Sequence, residues 1–191
     1  EDLVNRLNES ELKKVLKEFG EETAAGRIAK RIVQERKNKP FRTTTQLREL
    51  IEKEVPVRRG QKIHPATRTF QALRIAVNHE LEGLDEFLFD AFDVLASEGR
   101  LVIISFHSLE DRIVKKVFRF LSAACRCSKA LPQCRCGGKP LSKLLTSSPV
   151  TASEDEVNEN PASRSAKMRA IEKIEGSVSR DLWGVWLREH E

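Results

Sequence analysis

Residues 100–116 read RLVIISFHSLEDRIVKK. The stretch opens as a strand, with Leu101, Val102, Ile103 and Ile104 in an unbroken apolar run expected to be buried, and it ends as an amphipathic helix. Between them stand Ser105, Phe106, His107, Ser108, Leu109, Glu110, Asp111 and Arg112, a crowd of polar and titratable side chains at one strand-to-helix turn. Parallel strands of open α/β sheets present their binding loops at the carboxyl ends, so a site is expected just after Ile104. Ser108 and Asp111, three residues apart, are expected to cap the helix. Ser105 and His107 are not needed for that cap, and with Asp111 they are the candidate catalytic groups. A serine-hydrolase reading is disfavoured, because no Gly-X-Ser-X-Gly elbow surrounds either serine.

Outward from this turn, Asp85 to Ser97 reads as a helix with Phe87, Leu88, Ala91, Phe92 and Leu95 inward, closed by Glu98-Gly99. Helix, turn, strand, helix is an α/β unit. Before it, HPATRTFQALRIAVNHEL (64–81) predicts a helix with His64 as its cap and Pro65 in its first turn. Phe70, Leu73, Val77 and Leu81 should face a core, while Thr67, Gln71, Arg74 and Asn78 line another face. The first sixty residues read as three amphipathic helices, two of them announced by Asn8-X-X-Glu11 and Thr43-X-X-Gln46 capping boxes. Pro56 to Lys62 is the expected linker. On the other side, SAKMRAIEKI (165–174) suggests a last strand, SEDEVNENPASR (153–164) a loop, and the final segment with Trp183 and Trp186 a helix docked on the core.

The 191 residues carry a net charge of +5, which suits a polyanionic partner. The charge is local: Arg27, Lys30, Arg31, Arg36, Lys37, Lys39 and Arg42 surround the single acid Glu35. No apolar stretch approaches the roughly 18 residues of a membrane span, so a cytoplasmic protein without membrane contact is expected. Cys125, Cys127, Cys134 and Cys136 form two Cys-X-Cys pairs that could gather four thiolates around a zinc ion, with reduced thiols as the alternative.

The blocks HPATRTFQALRIAVNHEL and GRLVIISFHSLEDRIVKK, extended by GEETAAGRIAKRIV (20–33) and SAKMRAIEK, resemble the bacterial enzymes that methylate N4 of a cytosine in small-subunit (16S) ribosomal RNA, the RsmH or MraW family. The resemblance implies an α/β fold, part of a Rossmann-like S-adenosylmethionine-dependent methyltransferase sheet with a helical insertion. Residues 1–62 would be the insertion that recognises RNA, 63–175 the C-terminal half of the methyltransferase domain with the cysteine-rich loop 125–138, and 176–191 a C-terminal tail. It implies S-adenosyl-L-methionine as methyl donor, ribosomal RNA or the small ribosomal subunit as partner, and RNA contacts from Lys30, Arg31, Arg36, Thr67, Arg68, Gln71, Arg74, Asn78 and Arg164. Ser105, His107 and Asp111 would lie beside the acceptor base. The family's glycine-rich turn, expected upstream of this region, has no counterpart here, so no cofactor-binding residue is assigned in this chain. A catalytically incomplete RNA-binding fragment and a zinc-stabilised interaction module are the competing readings.

Overall fold

The computed structural model describes residues 2–56, 64–128, 131–134 and 138–190; most of the expected linker and Cys136 lie outside them. Two compact units result, Glu1–Glu80 and Leu81–Glu191.

Local capping sets the helix starts of the first unit, which contains α1 (Asp2–Arg6), α2 (Glu9–Gly20), α3 (Ala25–Glu35), α4 (Thr44–Glu54) and α5 (Thr67–Asn78). The side chain of Asn8 accepts from the Glu11 amide at 3.0 Å while Glu11 accepts from the Asn8 amide at 2.8 Å. Thr43 and Gln46 repeat the exchange at the head of α4. These reciprocal bonds satisfy amides that the first turn leaves without helical partners. Leu12, Leu16, Ile28, Ile32 and Ile51 form the fully buried centre of the unit.

The helix α5 keeps part of its expected face, with Phe70 and Leu73 half-buried against the core of the first unit, but departs from its expected affiliation. It packs on α2 within the first unit, although the sequence reading groups it with the second domain. Its buried residues are Thr69, Ala72 and Ile75, and Val77, expected inside, is 58 % exposed. Small side chains explain the turn of the helix. A Cβ on Gly20 would stand 2.6 Å from the Arg68 carbonyl oxygen and 3.1 Å from Ala72 Cβ, so α2 and α5 approach closely only because Gly20 has no side chain. His64 is not the helix cap it was expected to be: the N-cap of α5 is Ala66, without a side-chain cap, and His64 Nδ1 accepts from the Ala66 amide at 3.1 Å in the turn that precedes the helix.

The second unit runs α6 (Leu84–Asp93), β1 (Arg100–Ser105), α7 (Ser108–Ser122), β2 (Ser142–Leu144), β3 (Val150–Thr151), α8 (Glu154–Glu159), a 3-10 turn at Pro161–Ser165, β4 (Lys167–Lys173), a second 3-10 turn at Arg180–Leu182 and α9 (Trp183–Glu189). The sheet has the order β1-β4-β2, with β3 also on β4, and all these pairs are antiparallel. The α/β class therefore holds, while the parallel pairing typical of a Rossmann-like sheet is not found among the described strands. Leu101 stands opposite Ile171, and Ile103 opposite Arg169.

Burial of β1 is one-sided, contrary to the expectation from its apolar run. Leu101 and Ile103 join the core with Leu88, Phe89, Phe92, Val117, Phe118 and Leu121, but Val102 is 50 % and Ile104 57 % exposed. Within the described residues β1 pairs only with β4, and the face carrying Val102 and Ile104 has no layer over it.

Helix α6 stops at Asp93, short of the expected Ser97. Lys173, buried on β4, donates from Nζ to the carbonyls of Phe92, Asp93 and Leu95 at 3.1, 3.0 and 2.8 Å, gathering the carbonyls where the helix ends. The final segment docks through Trp186, and Phe89, Phe120 and Trp183 meet edge to face at centroid separations of 5.2 to 5.9 Å. Residues beyond 175 thus complete the core of this unit. The acidic stretch expected as a loop contains the short α8, whose N-cap Ser153 accepts from the Glu156 amide.

Candidate functional site

The turn after β1 is built by side chains that hold one another. His107, buried, is the N-cap of α7: its Nδ1 accepts from the Glu110 amide at 3.3 Å. Glu110 reaches back, its Oε2 accepting from the amides of Phe106 at 2.9 Å and His107 at 3.3 Å. This corrects the expected Ser108–Asp111 cap by one residue, since Ser108 is already helical. Because Nδ1 accepts, the neutral ring carries its proton on Nε2, and Nε2 lies 3.4 Å from Glu110 Oε1. Ser105, also buried, donates to the Lys167 carbonyl across the sheet at 3.3 Å.

Asp111 faces the sheet instead of its own helix end. Arg169 grips it with two bonds, Nε to Oδ1 at 2.5 Å and Nη2 to Oδ2 at 3.1 Å, and Lys167 Nζ lies 3.8 Å from Oδ2. Burial pushes the Asp111 carboxyl up, but the hydrogen bond from Arg169 and the charges of Arg169, Lys167 and Lys115 outweigh it and hold the group below its ordinary range. The pair pins the first turn of α7 to β4. Phe106, 56 % exposed between two buried polar residues, is the side chain the turn presents outward. The sequence leaves Phe106, with Ser105 and His107, unexplained by helix formation, and the resemblance places all three beside the methyl acceptor; only the cap, once known, sorts the exposed ring from the sheet-bound serine and the capping histidine.

The expected RNA contacts sort into engaged and available groups. Lys30 and Thr67 are exposed. Arg31 lies 2.7 Å from Glu35 and 3.6 Å from Glu54, and Arg36 donates to the Val4 carbonyl at 2.7 Å, tying α1 to α3. Exposed Arg68 reaches the Glu21 carbonyl at 3.5 Å, and Gln71 is half-buried. Glu80, absent from the sequence-derived set, accepts from Arg74 through both oxygens at 2.9 and 3.0 Å and from Asn78 at 3.0 Å. Arg164 is exposed on the 3-10 turn before β4. A cleft between α3 and α4 is lined by Arg31, Lys39 and Lys53 together with Glu35 and Glu49, over the buried ring of Phe41.

Of the four cysteines, Cys125, Cys127 and Cys134 place their sulfur atoms within 4.8 Å of one another. Cofactor residues are a different matter. Among the described residues two turns lead directly from a strand into a helix, Ser105-Phe106-His107 before α7 and Ala152-Ser153 before α8, and neither contains a glycine to admit a nucleotide or its amino-acid tail against the backbone. The described residues therefore do not fit an S-adenosylmethionine pocket. No helix among them is long and apolar enough to cross a membrane.

Comparison with known proteins accords with these features. The chain is 55 % identical over 174 residues to the ribosomal RNA small subunit methyltransferase H of Pelobacter propionicus, covering 91 % of this chain and 56 % of the relative. Its identity to the protein of the same name from Geobacter sulfurreducens is 54 % over 176 residues, again 91 % and 56 % of the two lengths. The chain thus spans little more than half the length of these relatives. A family model described as the MraW methylase family matches residues 1–174. From the basic helices to the capped turn and the strand that braces it, the chain belongs to the MraW methylase family.

Proposed function

We propose that this chain is the C-terminal portion of an S-adenosylmethionine-dependent methyltransferase that modifies the N4 amine of a cytosine in small-subunit (16S) ribosomal RNA in the cytoplasm. The observation that carries this reading is the identity of 55 % across 91 % of the chain to a relative named ribosomal RNA small subunit methyltransferase H, and the cytosine N4 amine follows from the resemblance of the two signature blocks. The half-covered strand β1 supports it, since Val102 and Ile104 form an apolar face and, among the described residues, one edge of the strand is unpaired, so both are open to a further part of the same sheet. In this reading the helices of the first unit are the insertion that recognises RNA.

A cytosine amine is a weak nucleophile because its lone pair is delocalised into the ring, and the base must leave its stack before it can be aligned for transfer. The residues of this chain serve orientation. Phe106 offers an exposed ring on which a displaced base can stack, while Ser105 and His107 bring hydroxyl and imidazole groups to the same turn. Asp111 acts at one remove, holding the turn against β4 through Arg169. Lys30, Arg31, Arg68, Arg74 and Arg164 would contact phosphates, Arg74 by exchanging Glu80 for an RNA oxygen. The methyl donor supplies an electrophilic sulfonium carbon when bound. Since the described residues do not form its pocket, a second reading is an RNA-binding portion that cannot transfer a methyl group alone.

The test compares this chain with the same chain joined to the N-terminal part of the Pelobacter propionicus relative. Both are given labelled S-adenosylmethionine and small ribosomal subunits from cells lacking the modification, and modified nucleosides are identified by mass spectrometry. The joined protein is expected to form N4-methylcytidine, and the chain alone to bind the RNA in a salt-dependent manner without transfer. A methyl group on another nucleoside, or on none with a folded joined protein, would refute the proposed activity.

A further inference from the structure

The segment between α7 and β2, Ala123 to Leu141, contains no helix or strand among its described residues. Connections of this length without secondary structure are uncommon in a folded unit unless something ties them together or they serve a function. Its base is tied: the Leu141 amide donates to the Leu121 carbonyl at 2.9 Å, and buried Arg126 donates from Nη1 to the carbonyls of Ala123 and Lys139, both at 3.0 Å. Beyond that clasp, three thiols converge.

Cys125 and Cys134 have their sulfurs 3.6 Å apart, and Cys127, buried, completes a triangle in which every sulfur is within 4.8 Å of the others. A disulfide needs about 2.05 Å and would use only two of the three. Zinc held by thiolates at about 2.3 Å sets its ligands about 3.8 Å apart along each edge of a tetrahedron. The Cys125–Cys134 separation of 3.6 Å already approaches that edge, and modest closure by Cys127 would finish one tetrahedral face. Gly138 bends the chain back at φ 64°, where a Cβ would stand 3.9 Å from the Cys134 sulfur, so the returning backbone passes beside the cluster. The segment also carries Arg126, Lys129, Arg135 and Lys139 in its sequence and no acid, which offsets the negative charge that several thiolates gather around one ion.

We propose that Cys125, Cys127 and Cys134 bind a zinc ion whose role is structural, drawing the outer part of the Ala123–Leu141 segment together as the Arg126 clasp draws its base. These three sulfurs form one face of the tetrahedron. Soft thiolates in tetrahedral array select zinc over magnesium, calcium or manganese.

The intact chain is purified under reducing conditions, dialysed against buffer treated to remove loose metal, and assayed by elemental mass spectrometry. About one zinc per chain is expected, released when a mercurial thiol reagent is added. Replacement by cobalt is expected to produce the strong sulfur-to-cobalt charge-transfer absorption and the visible bands of a tetrahedral thiolate site. C127S and C134S should each lower zinc affinity at least tenfold, and the fluorescence of Trp183 and Trp186 in the neighbouring core reports whether each variant remains folded. A folded chain that holds no zinc after zinc is supplied, or that gives no thiolate-to-cobalt absorption, overturns the proposal, as does retention of zinc by a folded C127S/C134S variant. The cobalt spectrum needs no variant, so misfolding of the substituted chains leaves the proposal open to refutation.

Discussion

His107 occupies a position in which structure and chemistry must be separated by substitution. Its Nδ1 satisfies the Glu110 amide, and loss of an N-cap acceptor typically costs about 0.5–2 kcal/mol. H107A should therefore lower stability by about 1 kcal/mol, whereas H107N, which restores a short acceptor of the kind best suited to an N-cap, should lose only a few tenths. If both variants of the joined enzyme lose turnover while H107N keeps its denaturation midpoint, the imidazole has a part in the reaction beyond its cap; full turnover by H107N would make His107 structural only. Asp111 makes a different prediction. Its carboxyl lies below the ordinary range in the folded protein, so its stabilising contribution is complete above the unfolded value, near pH 3.9, and is lost as pH falls through the folded value. D111A strands the buried Arg169 charge and should cost about 3–5 kcal/mol at neutral pH. Urea titrations at a series of pH values should show the native and D111A stabilities converging in acid; parallel curves would contradict the assigned role.

Among the elements, α6 is the one whose end is set from a distance. Lys173 reaches three carbonyls from a strand some eighty residues later in the chain, and K173M, which keeps the stem and removes the donors, should destabilise the unit by about 1–3 kcal/mol with little change in denaturant slope. The same distance explains what the sequence could and could not disclose. Asn8 with Glu11 and Thr43 with Gln46 were legible because each box is closed within four residues. At the candidate site two boxes overlap, His107-X-X-Glu110 and Ser108-X-X-Asp111, and local pattern does not choose between them. The choice is made by Arg169, 58 residues beyond Asp111, which draws the aspartate to the sheet and leaves the cap to His107 and Glu110. Strand β4 was visible, but its core-facing side carries Arg169 and Lys173 around Ile171, so hydrophobic alternation along the strand does not mark that side. The first-unit basic run was equally plain, yet Glu80's hold on Arg74 and Asn78 depends on the left-handed turn at His79, φ 53°, which composition does not reveal.

At the scale of the molecule, the decisive feature is that β1 reads as a core strand and is covered on one face. If the proposed N-terminal part of the enzyme lies over Val102 and Ile104, the same substitutions must have opposite consequences in the two contexts. V102T and I104T keep the branched side chains that suit a strand while placing a hydroxyl where apolar surface now stands. In this chain alone both side chains are about half exposed, so the double variant should leave stability within about 0.5 kcal/mol and reduce self-association, because a smaller apolar patch borders the unpaired strand edge. In the joined protein the hydroxyls would be buried without partners, and the pair should cost about 2–6 kcal/mol through the polar groups carried out of water. Sedimentation velocity on the chain and thermal unfolding of the joined protein measure the two effects. A double variant that is silent in the joined protein would show that the outer face of β1 is not an internal contact of the enzyme, and the half-covered strand would then need a partner other than the rest of its own sheet.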